Sequence, residues 1–159
     1  MTLSSTVSLA PQHPMLVVED SDEDFEAIQR FVRRSPISIP VQRCVTGEQA
    51  LAQLSQTVLT DGPTAAQYPG LIVLDLNLPG TDGRDVLRQI KQDATLKTIP
   101  VIIFTTSNNP QDIQDCYHLG VRRYIVKPID YDQLKRDIQS LIDYWFEVTH
   151  RPESPEPSS

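Results

Sequence analysis

Five short apolar runs, each followed by a helix-like segment, constrain the fold of this chain more than any other feature. The pattern predicts strands at about 14–19, 38–44, 70–75, 99–104 and 122–126, with helices at about 22–34, 47–56, 83–92, 109–118 and 130–148. Regular alternation of strands and helices implies a parallel sheet covered by helices on both faces, since parallel neighbours need long crossover connections. Cap signals support the helix starts. Ser21 can cap the first helix, which carries Phe25, Ile28 and Val32 on one face, and Asp130 with Gln133 opens the last in the manner of a capping box. The third helix opens at Gly83, after the turn-forming run Pro79-Gly80-Thr81-Asp82.

Four of the runs stop at polar residues. Glu19 and Asp20 follow Met15-Leu16-Val17-Val18, Asp75 follows Leu71-Ile72-Val73-Leu74, Thr105 follows Val101-Ile102-Ile103-Phe104, and Lys127 follows Tyr124-Ile125-Val126. An open α/β sheet places its ligand site outside the carboxyl ends of its strands, so these residues are expected to meet at one edge. Three carboxylates at such close quarters repel one another unless a cation binds. Mg²⁺ suits them, being hard, oxygen-seeking and commonly held by one or two carboxylates with waters and phosphate oxygens. Asp20 and Asp75 are the expected direct ligands, the Asn77 carbonyl a further oxygen donor, and Glu19 acts through water or as a field charge. A carboxylate such as Asp75 can attack phosphorus to form an acyl phosphate. Lys127 then supplies positive charge, and Thr105 a hydroxyl, to the phosphoryl oxygens.

Composition narrows the alternatives. A net charge of −7, with Arg33-Arg34 and Arg122-Arg123 as isolated pairs, argues against a nucleic-acid binder, whose affinity rests on neutralising phosphates. No Walker A loop is present. Cys44 and Cys116 stand far apart in no metal-like spacing, as expected of small buried side chains in a reducing compartment. His13, His118 and His150 show no zinc spacing and read as surface residues. No apolar stretch approaches the roughly 18 residues of a membrane span and no signal peptide opens the chain, so the expected location is the cytoplasm. The predicted organisation is one domain at 14–148 between disordered tails at 1–13 and 149–159, with a long connection at 57–69.

The segments Val17-Val18-Glu19-Asp20, Leu74-Asp75-Leu76-Asn77-Leu78-Pro79-Gly80-Thr81-Asp82-Gly83, Thr105-Thr106-Ser107 and Val126-Lys127-Pro128 resemble the receiver domains of two-component response regulators in order and spacing. The likeness covers about residues 14 to 145. Thr-Thr-Ser after the fourth strand, Cys116-Tyr117-His118-Leu119-Gly120 and Asp143-Tyr144-Trp145-Phe146 are similar to the single-domain regulators paired with cyanobacterial phytochromes. The resemblance implies a flavodoxin-like sheet of order 2-1-3-4-5, with Asp75 accepting a phosphoryl group from a sensor histidine kinase in a Mg²⁺-dependent reaction. It assigns Asp20 to the metal, Lys127 to the phosphoryl group, Thr105 with Tyr124 to a coupled switch, and a cis peptide to Lys127-Pro128. Thr106 borders this site, and its β-branch should hinder an attacking water.

With only about ten polar residues after position 149, output is expected to pass through contacts of the domain itself. Leu134, Ile138, Leu141, Trp145 and Val148 form an apolar stripe on the last helix, widened by Ile142 and Phe146. Tyr144-Trp145-Phe146 is therefore a candidate homodimer or partner contact, on the surface of the fourth helix, fifth strand and fifth helix. Two other functions compete. A haloacid-dehalogenase-type phosphohydrolase shares the aspartyl nucleophile, Mg²⁺ and lysine, but residues 75 to 79 read Asp-Leu-Asn-Leu-Pro where that family resembles Asp-x-Asp-x-Thr. The other is an adaptor that works without phosphorylation.

Overall fold

A computed structural model describes residues 13–59 and 68–150. Five strands, β1 (Met15–Val18), β2 (Val41–Cys44), β3 (Leu71–Leu74), β4 (Val101–Thr105) and β5 (Arg123–Val126), form one parallel sheet in the order β2-β1-β3-β4-β5. The helices are α1 (Asp22–Arg34), α2 (Gly47–Leu59), α3 (Gly83–Gln92), α4 (Pro110–His118) and α5 (Tyr131–His150), with a 3₁₀ turn at Leu96–Thr98. Strands β1, β3 and β4 are buried throughout, as continuous apolar runs must be when helices cover both faces of a parallel sheet. The edge strands β2 and β5 expose part of their lengths.

Side chains alternate across the sheet and build two cores. On one face Leu16, Val18, Ile72, Leu74, Val101 and Ile103 pack against α2, α3 and α4. On the other, Met15, Val17, Val73, Ile102, Phe104 and Ile125 pack against α1 and α5. The expected caps form: Ser21 Oγ accepts from Asp24 N at 3.1 Å, and Asp130 Oδ2 from Gln133 N at 2.8 Å.

Several sequence expectations shift. Strand β2 begins at Val41 rather than 38, because Pro40 has no N–H for a ladder and offers only its carbonyl, which accepts from Met15 N at 2.8 Å. Helix α2 runs to Leu59, three residues beyond its expected end. Helix α5 runs to His150, so Thr149 and His150, read as tail, are helical, and Thr149 Oγ1 bonds back to the Trp145 carbonyl at 2.8 Å. Every described peptide bond is trans, which corrects the cis Lys127-Pro128 implied by the family resemblance. An X–Pro bond still favours trans by roughly 0.5–1 kcal/mol, and Lys127 is placed here by its own N–H, which donates to Thr105 O at 2.7 Å. The disorder expected at 1–12 and 151–159, and most of the connection at 57–69, lies outside the described residues. No described helix is long and apolar enough to cross a membrane.

Candidate functional site

The parallel register brings the strand ends level, with Val18 opposite both Cys44 and Leu74. Backbone bonds continue the ladder one step into the site, Glu19 N to Cys44 O at 2.9 Å and Asp75 N to Val18 O at 3.1 Å. Glu19 and Asp75 are therefore buried, at 2% and 4% exposure, while Asp20 faces solvent. One carboxylate oxygen from each of the three lies within 4.8 Å of the others. Burial pushes Glu19 up to about 7, with the Asp75 charge adding to the rise and the hydrogen bond from Lys127 opposing it. An all-oxygen donor set, partly buried and mutually repelling, fits a hard divalent cation.

Lys127 closes the other side of the pocket. Its Nζ lies 3.0 Å from Asp75 Oδ2, 2.9 Å from Glu19 Oε1 and 2.7 Å from Asp24 Oδ2. Burial alone would lower the basicity of this ammonium, but hydrogen bonds to Asp24 and Glu19 and the charge of Asp75 raise it above the ordinary lysine range. A fixed cation thus touches the carboxylate expected to act as nucleophile. Asp24, an acid in the first turn of α1, also contributes as a partner of Lys127, a role that strand-end reasoning does not assign to it. Its position in the first turn of α1, directly after the first strand's acidic end, was the available signal.

The loop after β3 is held against Asp75. Asp75 Oδ1 accepts from Asn77 N at 3.0 Å, and the Asn77 amide reaches Thr106 Oγ1 at 3.2 Å and Thr105 Oγ1 at 3.4 Å. Gly83 opens α3 so close to this loop that a Cβ would fall 2.2 Å from the Asp75 carbonyl oxygen, and Gly83 N donates to Leu76 O at 3.0 Å. Only glycine fits there. Thr105 is fully buried and Thr106 exposed. Tyr124 is half-buried and its hydroxyl donates to the Ser107 carbonyl at 2.9 Å, while Ser107 N points to Thr105 Oγ1 at 3.4 Å. Thr105 and Tyr124 are thus joined through Ser107.

The aromatic cluster on α5 divides. Trp145, 1% exposed, faces the protein's own core, and its indole N–H donates to the His13 carbonyl at 2.7 Å, which removes it as an interface residue. The apolar stripe that suggested an outward contact is the stripe that covers the sheet. Tyr144 is half-buried; Phe146 stays 41% exposed and stacks on His150 at 4.1 Å between ring centroids. His13 is half-buried rather than at the surface, its Nδ1 2.9 Å from the Tyr68 carbonyl, whereas His118 and His150 are exposed. Cys44 and Cys116 are buried, and burial pushes both thiols up, Cys116 to about 11. A cavity of about 480 Å³ lies at the opposite edge of the sheet, lined in part by His13, Tyr68, Arg122 and Tyr144, and includes none of the strand-end carboxylates. The chemistry belongs to the acidic cluster at the strand ends.

Residues 15–139 match the family model described as response regulator receiver domain. Response regulator Rcp1 of Synechocystis sp. is 37% identical over 89% of this chain and 95% of its own length. The probable methanogenesis regulatory protein FilR2 of Methanothrix harundinacea is 33% identical over 87% of this chain and 86% of its own. Among solved structures, the Mn²⁺-bound form of response regulator Rcp1 superposes with a TM-score of 0.75 at 35% identity, covering 91% of this chain and 99% of that one. The phosphorylated cyanobacterial phytochrome response regulator RcpA gives a TM-score of 0.75 at 37% identity, covering 92% and 99%. With its sheet order, its strand-end acids and its lysine in place, this chain belongs to the response regulator receiver domain family.

Proposed function

We propose that this protein is a response regulator that takes a phosphoryl group from a sensor histidine kinase onto Asp75, with Mg²⁺ held by Asp20, Asp75 and the Asn77 carbonyl and with Glu19 tuning the field. The observation that carries this reading is the Asp75 carboxylate, buried beside Glu19 and in contact with the Lys127 ammonium. An Asp75 oxygen forms the new bond to phosphorus as the phosphorus–nitrogen bond of the donor phosphohistidine breaks, and the electron pair returns to the imidazole. Bound Mg²⁺ would supply charge neutralisation between carboxylates and incoming phosphoryl oxygens. Lys127 needs only a small movement from Asp75 Oδ2 to a phosphoryl oxygen, and the Thr105 hydroxyl can turn from the Asn77 amide to another. Displacement of Thr105 alters the Ser107 segment on which the Tyr124 hydroxyl rests, which would carry the state of the site to the surface of α4, β5 and α5.

A phytochrome-type kinase is the favoured donor, because relatives include a cyanobacterial phytochrome response regulator and a regulator in red light signalling of R. palustris. The protein acts in the cytoplasm and signals by protein contacts, including a homodimer. Ile129, Val126 and Phe146, with the half-buried Tyr144, offer exposed apolar surface near that face, Ile129 being 104% exposed. Incubation with acetyl phosphate and Mg²⁺ should label the wild type at one site and leave Asp75→Asn unlabelled. Labelling of Asp75→Asn at the wild-type rate, or an unlabelled wild type, would overturn the proposal, and sustained turnover on phosphomonoesters would point to a hydrolase. Sedimentation of Phe146→Ala should show weaker dimerisation than wild type; equal association would remove Phe146 from the interface.

A further inference from the structure

We propose that Arg84 and Asp112 form a second link from the acceptor loop to α4, separate from the route through Thr105 and Tyr124. The link begins at the acceptor itself. Gly83 is packed on the Asp75 carbonyl and bonded to Leu76, so the first turn of α3 must follow any shift of the loop that carries Asp75. Arg84 is the next residue. It is anchored to the cap of its own helix, with its N–H donating to Asp82 Oδ1 at 2.8 Å and Nη1 lying 3.0 and 3.2 Å from the two Asp82 oxygens.

The rest of the guanidinium reaches α4. Nε donates to Asp112 Oδ1 at 2.8 Å and Nη2 to Asp112 Oδ2 at 2.6 Å, the paired geometry in which arginine binds carboxylate with most directional control. Asp112 Oδ2 also accepts from Ser107 Oγ at 2.6 Å, so the same carboxylate fixes the segment between β4 and α4. Ser107 in turn holds the Tyr124 hydroxyl through its carbonyl. Asp112 therefore joins both routes: one through Arg84 from the far end of the acceptor loop, the other through Ser107 from Thr105.

This pair can set the position of α4 because apolar burial there is slight and the other direct tie to β5 is a single hydrogen bond, from Tyr124 N to the Tyr117 hydroxyl at 3.0 Å. Cys116 is the one buried residue on that helix. Apolar burial gives α4 a weak and non-directional seat, whereas the bidentate pair specifies both distance and angle. Arg84 and Asp112 side chains are 30% and 14% exposed, shielded enough to hold one geometry yet not sealed in the core.

The link rests on the phosphoacceptor reading, and its test separates the two. Wild type, Asp112→Asn, Arg84→Gln and the conservative Asp112→Glu are labelled with acetyl phosphate and Mg²⁺, and amide hydrogen exchange across residues 105–118 is compared before and after labelling. Wild type should show a phosphorylation-dependent change across this segment. Asp112→Asn and Arg84→Gln should accept phosphate at close to the wild-type rate but lose the change by about fivefold or more, the lower end of ordinary coupling between sites. Asp112→Glu should retain most of it. The two amide variants cut the same bond from opposite ends, so one that fails to fold leaves the other to decide. Labelled variants that respond like wild type, or an Asp112→Glu protein as uncoupled as Asp112→Asn, would overturn the link alone. An unlabelled wild type would overturn the phosphoacceptor reading and the link with it.

Discussion

Helices α4 and α5 flank the two faces of the same edge strand, yet different forces hold them. Tyr124 packs toward the core that includes Cys116, and Ile125 toward the core that includes Trp145. Helix α5 buries Ile138, Leu141, Ile142 and Trp145, while α4 buries Cys116 alone and is tied down by Arg84, Asp112 and Ser107. Burial of large side chains resists displacement in every direction, since close-packed interiors tolerate few intermediate positions. Hydrogen-bonded carboxylates can exchange partners with small movements. The α5 face is the support against which a change is measured, and the α4 face is where change is cheap.

The largest effect should come from the supporting face. Trp145→Ala should lower stability by about 3–5 kcal/mol in urea unfolding, the usual cost of emptying a large aromatic site. A loss below about 1 kcal/mol would mean that α5 is seated no more firmly than α4 and would break the comparison. Next comes the junction of acceptor loop and α3. Gly83→Ala would force a Cβ into the Asp75 backbone and should cost about 1–3 kcal/mol while also slowing phosphoryl labelling, because the strain falls on the acceptor itself. A variant with normal stability and normal labelling would show that the loop yields freely.

The smallest effect should come from the polar face, and it should depend on pH. The Arg84 hydrogen bonds lower Asp112 from its usual 3.8 to about 2, with burial opposing and Ser107 assisting. A carboxyl group whose pKa is lower folded than unfolded stabilises the fold above the unfolded value and loses that contribution as pH falls toward the folded value. The difference in urea midpoint between wild type and Asp112→Asn should therefore be constant above pH 3.8 and shrink as pH falls toward about 2. A gap that stays the same across that window would show that Asp112 is not held by its charge.

These contrasts also mark what the sequence could reveal. Strand-end residues Glu19, Asp75, Thr105 and Lys127 were legible because strand period and parallel topology fix where the end of a strand must lie. Capping by Ser21 and Asp130 was legible because it is local in the chain. Trp145 was not, since helical spacing identifies an apolar stripe without saying whether a sheet or a partner covers it. The Arg84–Asp112 pair spans 28 positions of sequence and depends on how two crossover helices sit side by side, which no local pattern encodes. Asp24 was hidden differently: an acid in a first helical turn already has a sufficient local explanation in the helix dipole.

The indole bond from Trp145 to the His13 carbonyl has a practical consequence for rearranging the chain. It places the backbone that enters β1 beside the final turns of α5, on the sheet edge remote from the acidic pocket. Nearby ends are the condition under which a domain tolerates circular permutation. A short linker from the end of α5 to His13, with new termini opened between α2 and β3, should leave the sheet order and the acceptor intact. The same geometry makes this corner a suitable attachment point for a reporter, since a fluorophore placed on His13 or the last turn of α5 would stand clear of the acidic strand ends.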